Sequence, residues 1–277
     1  MSPPTITSKL FVLLGGDLRY FKCKGLKKEW SAVTLGCWQI APSKGWGDSC
    51  TEQSADSVIK SALDHGITAF DTAEGYGDGE SERRLGKSLG NKTHDVIIIS
   101  KIWPDASLTS SAYLKRLDNT LRALNRDYVD VYLVHFPSNY FDSTEQSKKL
   151  CSLMNELKET GKALTVGLSN FMEPDLIRLD KEIDGFCVNQ VPYNILQRKY
   201  EGKTRDICHK NGIGYMAYSP TAQGLLAGRL SKQALNFPAR KWNSLYQEPL
   251  LTKSKPVRDM INSIAVKIKI QPIAVAV

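Results

Sequence analysis

Seven times along this chain a short apolar or β-branched run stops at a glycine or polar residue and gives way to a stretch with helical spacing. The runs are Ala32–Gly36, Ile67–Asp71, Val96–Lys101, Val129–His135, Leu164–Ser169, Phe186–Gln190 and Ile213–Tyr218. Their closing residues, Gly36, Asp71, Lys101, His135, Ser169, Gln190 and Ser219, recur at intervals of about 30 residues, the length of one strand–helix unit. Val96–Lys101 is a continuous β-branched run (Val-Ile-Ile-Ile), as expected for a strand buried on both faces. Between the runs, Thr51–His65 places Ala55, Val58, Ile59, Ala62 and Leu63 on one helical face. Thr144–Thr160 reads as a helix ended by Gly161. Strict alternation of strand and helix predicts a parallel sheet. A closed (β/α)8 TIM-type barrel and an open doubly wound sheet both fit the period. The barrel is favoured because polar residues close nearly every strand, not only those at one switch point.

The 277 residues suffice for one such domain, expected to span 1–277. A β-hairpin of about residues 10–22, folded around Gly15-Gly16, is predicted ahead of it. The net charge of +8 comes without any block of five like charges, which argues against a nucleic-acid tail. Leu10–Leu14 is too short for a signal peptide or a spanning helix, so no membrane partner is expected. Six scattered cysteines form no CxxC and no zinc spacing. They suit free thiols in a reducing compartment, and a cytoplasmic location with no bound metal is expected.

Three neighbouring strands end in ionisable residues, Asp71, Lys101 and His135. Strand ends in a barrel converge on its mouth, where catalytic groups sit. Tyr76, in the loop "AEGYGDGES", is close enough in sequence to fold back over them. A phenol ordinarily titrates near 10. An adjacent ammonium favours phenolate, a carboxylate keeps that ammonium charged, and an imidazole orients a carbonyl oxygen by hydrogen bonding. Each residue alone has a plainer reading: a capping carboxylate, a solvated lysine, a core histidine, a loop aromatic. Their placement on consecutive strand ends outweighs those.

"FDTAEGYGDGESERRLGKSL", "IIISKIW", "DYVDVYLVHFP", "ETGKALTVGLSNF", "VNQVPYN" and "GIGYMAYSPTAQGLLAGR" occur in this order. Together they resemble the aldo-keto reductase family, in the branch that includes potassium-channel β subunits and general aldehyde reductases. The resemblance implies reversible reduction of a small carbonyl substrate with NADPH, NADH being left open. It implies Tyr76 as general acid, Lys101 and Asp71 as its tuning partners and His135 as the carbonyl-orienting group. Ser169, Asn170 and Gln190 match positions that hold the nicotinamide carboxamide, and Tyr218 matches the aromatic that stacks on the ring. Ser219, Pro220, Gly224 and Leu225 match the loop over the pyrophosphate. Arg229 and Arg240 resemble phosphate-facing basic residues, with surface arginines as the alternative. Trp38 and Trp103 are expected to line an apolar substrate pocket.

After Tyr218 the expected eighth strand is hard to find. Thr221–Lys255 reads as a long loop with a small helix, and Asp259–Ile268 as a helix. Either the eighth strand and the basic loop that follows it in the family are missing by truncation, or "IAVAV" pairs as a substitute strand. A nicotinamide-sensing regulatory subunit and an inactive truncated paralogue are therefore kept as alternatives to the reductase. Oligomeric state is open.

Overall fold

All seven expected strands form in the computed structural model, which describes residues 18–47, 50–138, 143–228 and 233–277. The chain divides into two compact units. One holds Arg19–Val191 and Lys199–Tyr218; the other holds Pro192–Arg198 and Ser219–Val277.

The first unit opens with a small antiparallel pair, β1 (Tyr20–Phe21) with β2 (Trp30–Ser31). Most of the hairpin expected over residues 10–22 lies outside the described residues. Its far arm pairs with Trp30–Ser31. The main sheet then runs β3 (Thr34–Gly36), β4 (Ala69–Asp71), β5 (Ile97–Ile102), β6 (Val129–Val134), β7 (Ala163–Ser169), β8 (Phe186–Pro192) and β9 (Gly214–Tyr218). Spatial order follows chain order, and each of the pairings from β3 through β8 is parallel. The seven strands curl into a nearly closed barrel. Among the described residues no eighth strand joins β3 to β9.

Helices α1 (Glu52–Asp64), α2 (Glu80–Leu89), α3 (Ser110–Leu124), α4 (Thr144–Glu159), α5 (Glu173–Leu179) and α6 (Lys203–Lys210) connect the strands. Three start at hydroxyl caps: Thr51, Thr109 and Ser143 each accept a backbone N–H from the first turn. Phe70, Ile98, Tyr132, Val134 and Leu168 point outward and pack with the helices in a large core. The residues between them point inward. Ala69, Ile97, Ile99, Val131 and Leu133 fill the barrel with Trp30 and Cys23. Helices α2 and α3 meet at Gly86, where an added Cβ would lie 2.2 Å from the carbonyl oxygen of Leu124.

The second unit has its own small core of Ala222, Leu225, Leu226, Leu245 and Ile261. Its helices are α7 (Pro238–Trp242), α8 (Leu250–Lys253), α9 (Lys255–Ile268) and α10 (Pro272–Ala276). Segment α10 corrects the substitute-strand alternative: "IAVAV" is helical, with Pro272 in the first turn where its missing N–H costs nothing. Helix α9 begins at Lys255, four residues before the expected Asp259, for the same reason: Pro256 occupies its first turn.

Candidate active site

Side-chain parity builds the site. On β4, Ala69 and Asp71 share the inward face; on β5, Ile97, Ile99 and Lys101 share it; Val131, Leu133 and His135 continue the pattern along and just beyond β6. Asp71 stands opposite Ile99, so Lys101 rises two residues higher and its long stem bends back over the carboxylate.

Lys101 is fully buried, and its Nζ donates to three oxygens. They are Asp71 Oδ2 at 2.9 Å, the Thr72 carbonyl at 2.8 Å and Tyr76 Oη at 3.2 Å. An ammonium carries three N–H donors, so every one is used. Burial works against this charge, but Asp71 and Tyr76 outweigh it and hold the ammonium above its ordinary pKa. For Tyr76 the balance is the reverse of the simple expectation. Lys101 does pull its pKa down, yet burial, aided by the Asp71 charge, pushes harder and the net shift is upward. In this state the phenol keeps its proton.

Tyr76 reaches the cluster because its loop is tied at both ends. Its N–H bonds the Ala73 carbonyl, and its own carbonyl accepts from Ser81. Gly77 follows at φ +64°, and an added Cβ there would meet the Pro42 carbonyl at 2.5 Å. Ser81 Oγ donates to the Cys37 carbonyl and lies 2.9 Å from Thr72 Oγ1. This hydroxyl bridge pins Thr72, whose own carbonyl accepts from Lys101.

His135 stands edge-on to Tyr76, ring centroids 5.7 Å apart, and lies flat on Phe136 at 4.8 Å. Burial, and then the Lys101 charge, drive its pKa down to about 2, so the ring is neutral. A neutral imidazole offers one N–H and one lone pair. Nδ1 is buried with no hydrogen-bond partner among the described residues. Trp38 stacks over Tyr76 at 6.0 Å, braced by Trp46, and Trp103 meets His135 edge-on at 5.0 Å. Both tryptophans expected to line a pocket thus stand beside Tyr76 and His135.

Four of the residues matched to cofactor contacts lie in the same unit. Asn170, at φ +66°, donates from Nδ2 to the His135 carbonyl and to Ser169 Oγ. Its Oδ1 accepts the Tyr218 hydroxyl at 2.8 Å. Gln190 Nε2 donates to Asp71 Oδ1 at 2.8 Å, a link the sequence reading did not foresee. The others lie in the second unit. Ser219, Ala222, Gln223 and Gly224 all have positive φ, forming a tight coil. Arg240 Nε bonds the Gln223 carbonyl, and its guanidinium lies over Phe237 and Tyr246. Pro220 is partly buried in the same coil. The Leu225 side chain is wholly buried in the unit's core, which leaves its backbone as the part that could face a ligand. Arg229 lies outside the described residues.

Glu82, to which the sequence motifs assign no role, is buried beside the site. Its carboxyl accepts from Ser100 Oγ at 2.5 Å behind β5, and burial raises its pKa to about 7. The described residues hold no cluster of three or more His, Cys, Asp or Glu suited to a metal. No helix among them is long and apolar enough to cross a membrane.

A parallel barrel thus carries a buried Lys–Asp–Tyr–His cluster at its strand ends, beside amide and hydroxyl groups, an arrangement able to exchange a proton with a polarised small molecule. Residues 32–277 match the aldo/keto reductase family, and the chain belongs to that family of oxidoreductases. It is 32% identical over 214 residues to the aldo-keto reductase YhdN of Bacillus subtilis, covering 74% of this chain and 62% of that protein. It is 28% identical over 227 residues to a probable voltage-gated potassium channel subunit beta of Arabidopsis thaliana, covering 76% of this chain and 66% of the relative. The fold is similar to that of an aldo-keto reductase from Klebsiella pneumoniae solved in complex with NADPH. That match has a TM-score of 0.65 and 28% identity, covering 75% of this chain and 69% of the other.

Proposed function

We propose that this chain reduces aldehydes or ketones to alcohols with NADPH, and runs the reverse oxidation with the same groups. The observation that carries the reading is the Tyr76 hydroxyl 3.2 Å from an ammonium whose other two donors are already taken. That leaves Lys101 one task, to stabilise negative charge as it grows on Tyr76 Oη.

The residues present fit a nicotinamide. The Ser169 hydroxyl and the amides of Asn170 and Gln190 offer the mixed donors and acceptors that a carboxamide needs, and Tyr218 is a flat ring held by its hydroxyl beside them. When bound, the cofactor supplies the hydride. Tyr76 holds the proton that must reach the carbonyl oxygen, since its upward-shifted pKa keeps it protonated until charge appears on that oxygen. Neutral His135 orients the oxygen by hydrogen bonding without competing as an acid. The rings of Trp38 and Phe136 stand against Tyr76 and His135 and shield the reacting carbonyl on that side, which strengthens these interactions. The reaction is expected in the cytoplasm.

The test is NADPH oxidation by the purified protein with 4-nitrobenzaldehyde, run beside NADH and beside a cofactor-binding titration. Turnover with NADPH supports the reductase. Tight binding of NADPH without turnover supports the second reading, a cofactor-sensing subunit, which the similarity to the plant channel subunit favours. Failure to bind either nucleotide points to an inactive paralogue.

A further inference from the structure

Three residues past the end of β4 and two before Tyr76, the barrel carries an ion-pair assembly that the proposed chemistry does not use. Glu74 lies in the loop between β4 and α2, and its carboxylate is the centre. Arg116, on α3, grips it through both nitrogens: Nε to Oε2 at 2.8 Å and Nη2 to Oε1 at 2.6 Å. The same Nη2 reaches Asp105 Oδ1 at 2.9 Å. Glu74 Oε1 also accepts the backbone N–H of Trp103 at 2.5 Å. Glu74 is thus tied to a helix on one side and to the loop after β5 on the other. The Glu74 side chain keeps 13% of its surface and that of Arg116 30%, so water screens the pair only in part. Bidentate geometry fixes direction as well as distance.

What this assembly holds is Trp103. The residue keeps 41% of its surface exposed, so packing alone does not fix it. Its backbone is nailed to Glu74. Its ring lies against Gly75, where an added Cβ would sit 3.4 Å from the indole. The same ring meets His135 and Phe136 edge-on, at 5.0 and 5.5 Å.

We infer that Glu74 and Arg116 are positioning residues that set substrate choice. They hold Trp103 beside His135 as a flat wall, so the site favours aldehydes whose carbonyl bears a planar apolar group over small aliphatic ones. A loose Trp103 would leave the acid–base cluster intact and weaken only the grip on the planar substituent. This inference rests on the proposed reductase reading for its kinetic test, but the wall itself can be probed by binding.

The experiment compares wild type, Arg116→Met, Arg116→Lys, Trp103→Ala and the double variants, with NADPH and either 4-nitrobenzaldehyde or propanal. Arg116→Met is expected to raise KM for the aromatic aldehyde about fivefold, the scale of one aromatic contact. Its kcat and its kinetics with propanal should stay close to wild type, with NADPH affinity unchanged. In the Trp103→Ala background the same change should add nothing, because the two act through one wall. Should Arg116→Met fail to fold, Arg116→Lys keeps the charge but loses the fork, and gives the same comparison. Equal losses for both aldehydes, or additive losses in the double variant, overturn the inference. If wild type turns over neither aldehyde, the reductase reading fails on its own. Quenching of tryptophan fluorescence by 4-nitrobenzaldehyde then decides: weaker quenching in Arg116→Met than in wild type sustains the wall, and equal quenching removes it.

Discussion

Replacing Lys101 by Met and Asp71 by Asn together removes the ammonium without leaving a bare buried charge. The single change Lys101→Met would strand Asp71, a defect costing roughly 3–5 kcal/mol, and would confuse catalysis with folding. In the double variant Gln190 can still donate to the side-chain oxygen at position 71. The magnitude follows from the distance. At 3.2 Å and an effective dielectric constant of about 20, an ammonium favours a full negative charge on Tyr76 Oη by about 5 kcal/mol. If about half of that charge has formed in the transition state, losing the ammonium costs up to about 2.5 kcal/mol, and losing the Asp71 charge that opposes phenolate returns part of it, so the rate should fall by roughly ten- to a hundredfold. The assay is kcat/KM for 4-nitrobenzaldehyde at neutral pH, with NADPH affinity measured by fluorescence titration. A loss below about fivefold, with the cofactor still bound, would refute the electrostatic role given to Lys101. A matching loss of cofactor affinity would place Lys101 in binding instead.

Glu82 and His135 make opposite pH predictions. The folded pKa of Glu82 is raised to about 7, so its contribution is full below the unfolded carboxylate range and is lost as pH rises from there toward 7. Glu82→Gln should therefore melt several degrees higher than wild type at pH 8 and match it near pH 4.5; a constant offset in scanning calorimetry would contradict the assignment. The folded pKa of His135 is lowered to about 2, so its neutral burial stabilises the fold above the ordinary histidine range and that stability is lost as pH falls below it. It also means that kcat/KM should show no inflection near 6.5, and a titration there that disappears in His135→Asn would refute the neutral ring. Gly86→Ala would push a methyl group to 2.2 Å from the Leu124 carbonyl, and should lower stability by about 1–3 kcal/mol or more in urea unfolding. An unchanged midpoint would show that α2 and α3 have room to separate.

Much of this fold is legible in the chain because parallel strands announce themselves. "VIIIS" and "VDVYLV" are buried on both faces, and hydroxyl caps at Thr51, Thr109 and Ser143 start the helices between strands. Asp71, Lys101 and His135 were legible for the same reason: strand parity brings them to one face and strand ends bring them to one rim. The rest depends on approach in space. The Thr72 carbonyl that takes the third Lys101 hydrogen has no signature, since every residue has a carbonyl. Arg116 and Glu74 come from different units of the repeat, and only the packing of α3 against the barrel makes them partners. The net rise of the Tyr76 pKa is a matter of burial depth, which residue types alone do not report. "IAVAV" has strand composition, yet Pro272 and its neighbours in the second unit make it helical.

The most direct measurement is the hydride-transfer rate of Tyr76→Phe in a single turnover, with NADPH and 4-nitrobenzaldehyde, beside the NADPH affinity of the same variant. The expected result is a rate lower by at least about a hundredfold with NADPH affinity within about twofold of wild type, the span expected for loss of a general acid. An unchanged rate would contradict it, because the proton would then reach the carbonyl oxygen without the hydroxyl around which Lys101, Asp71 and His135 are arranged.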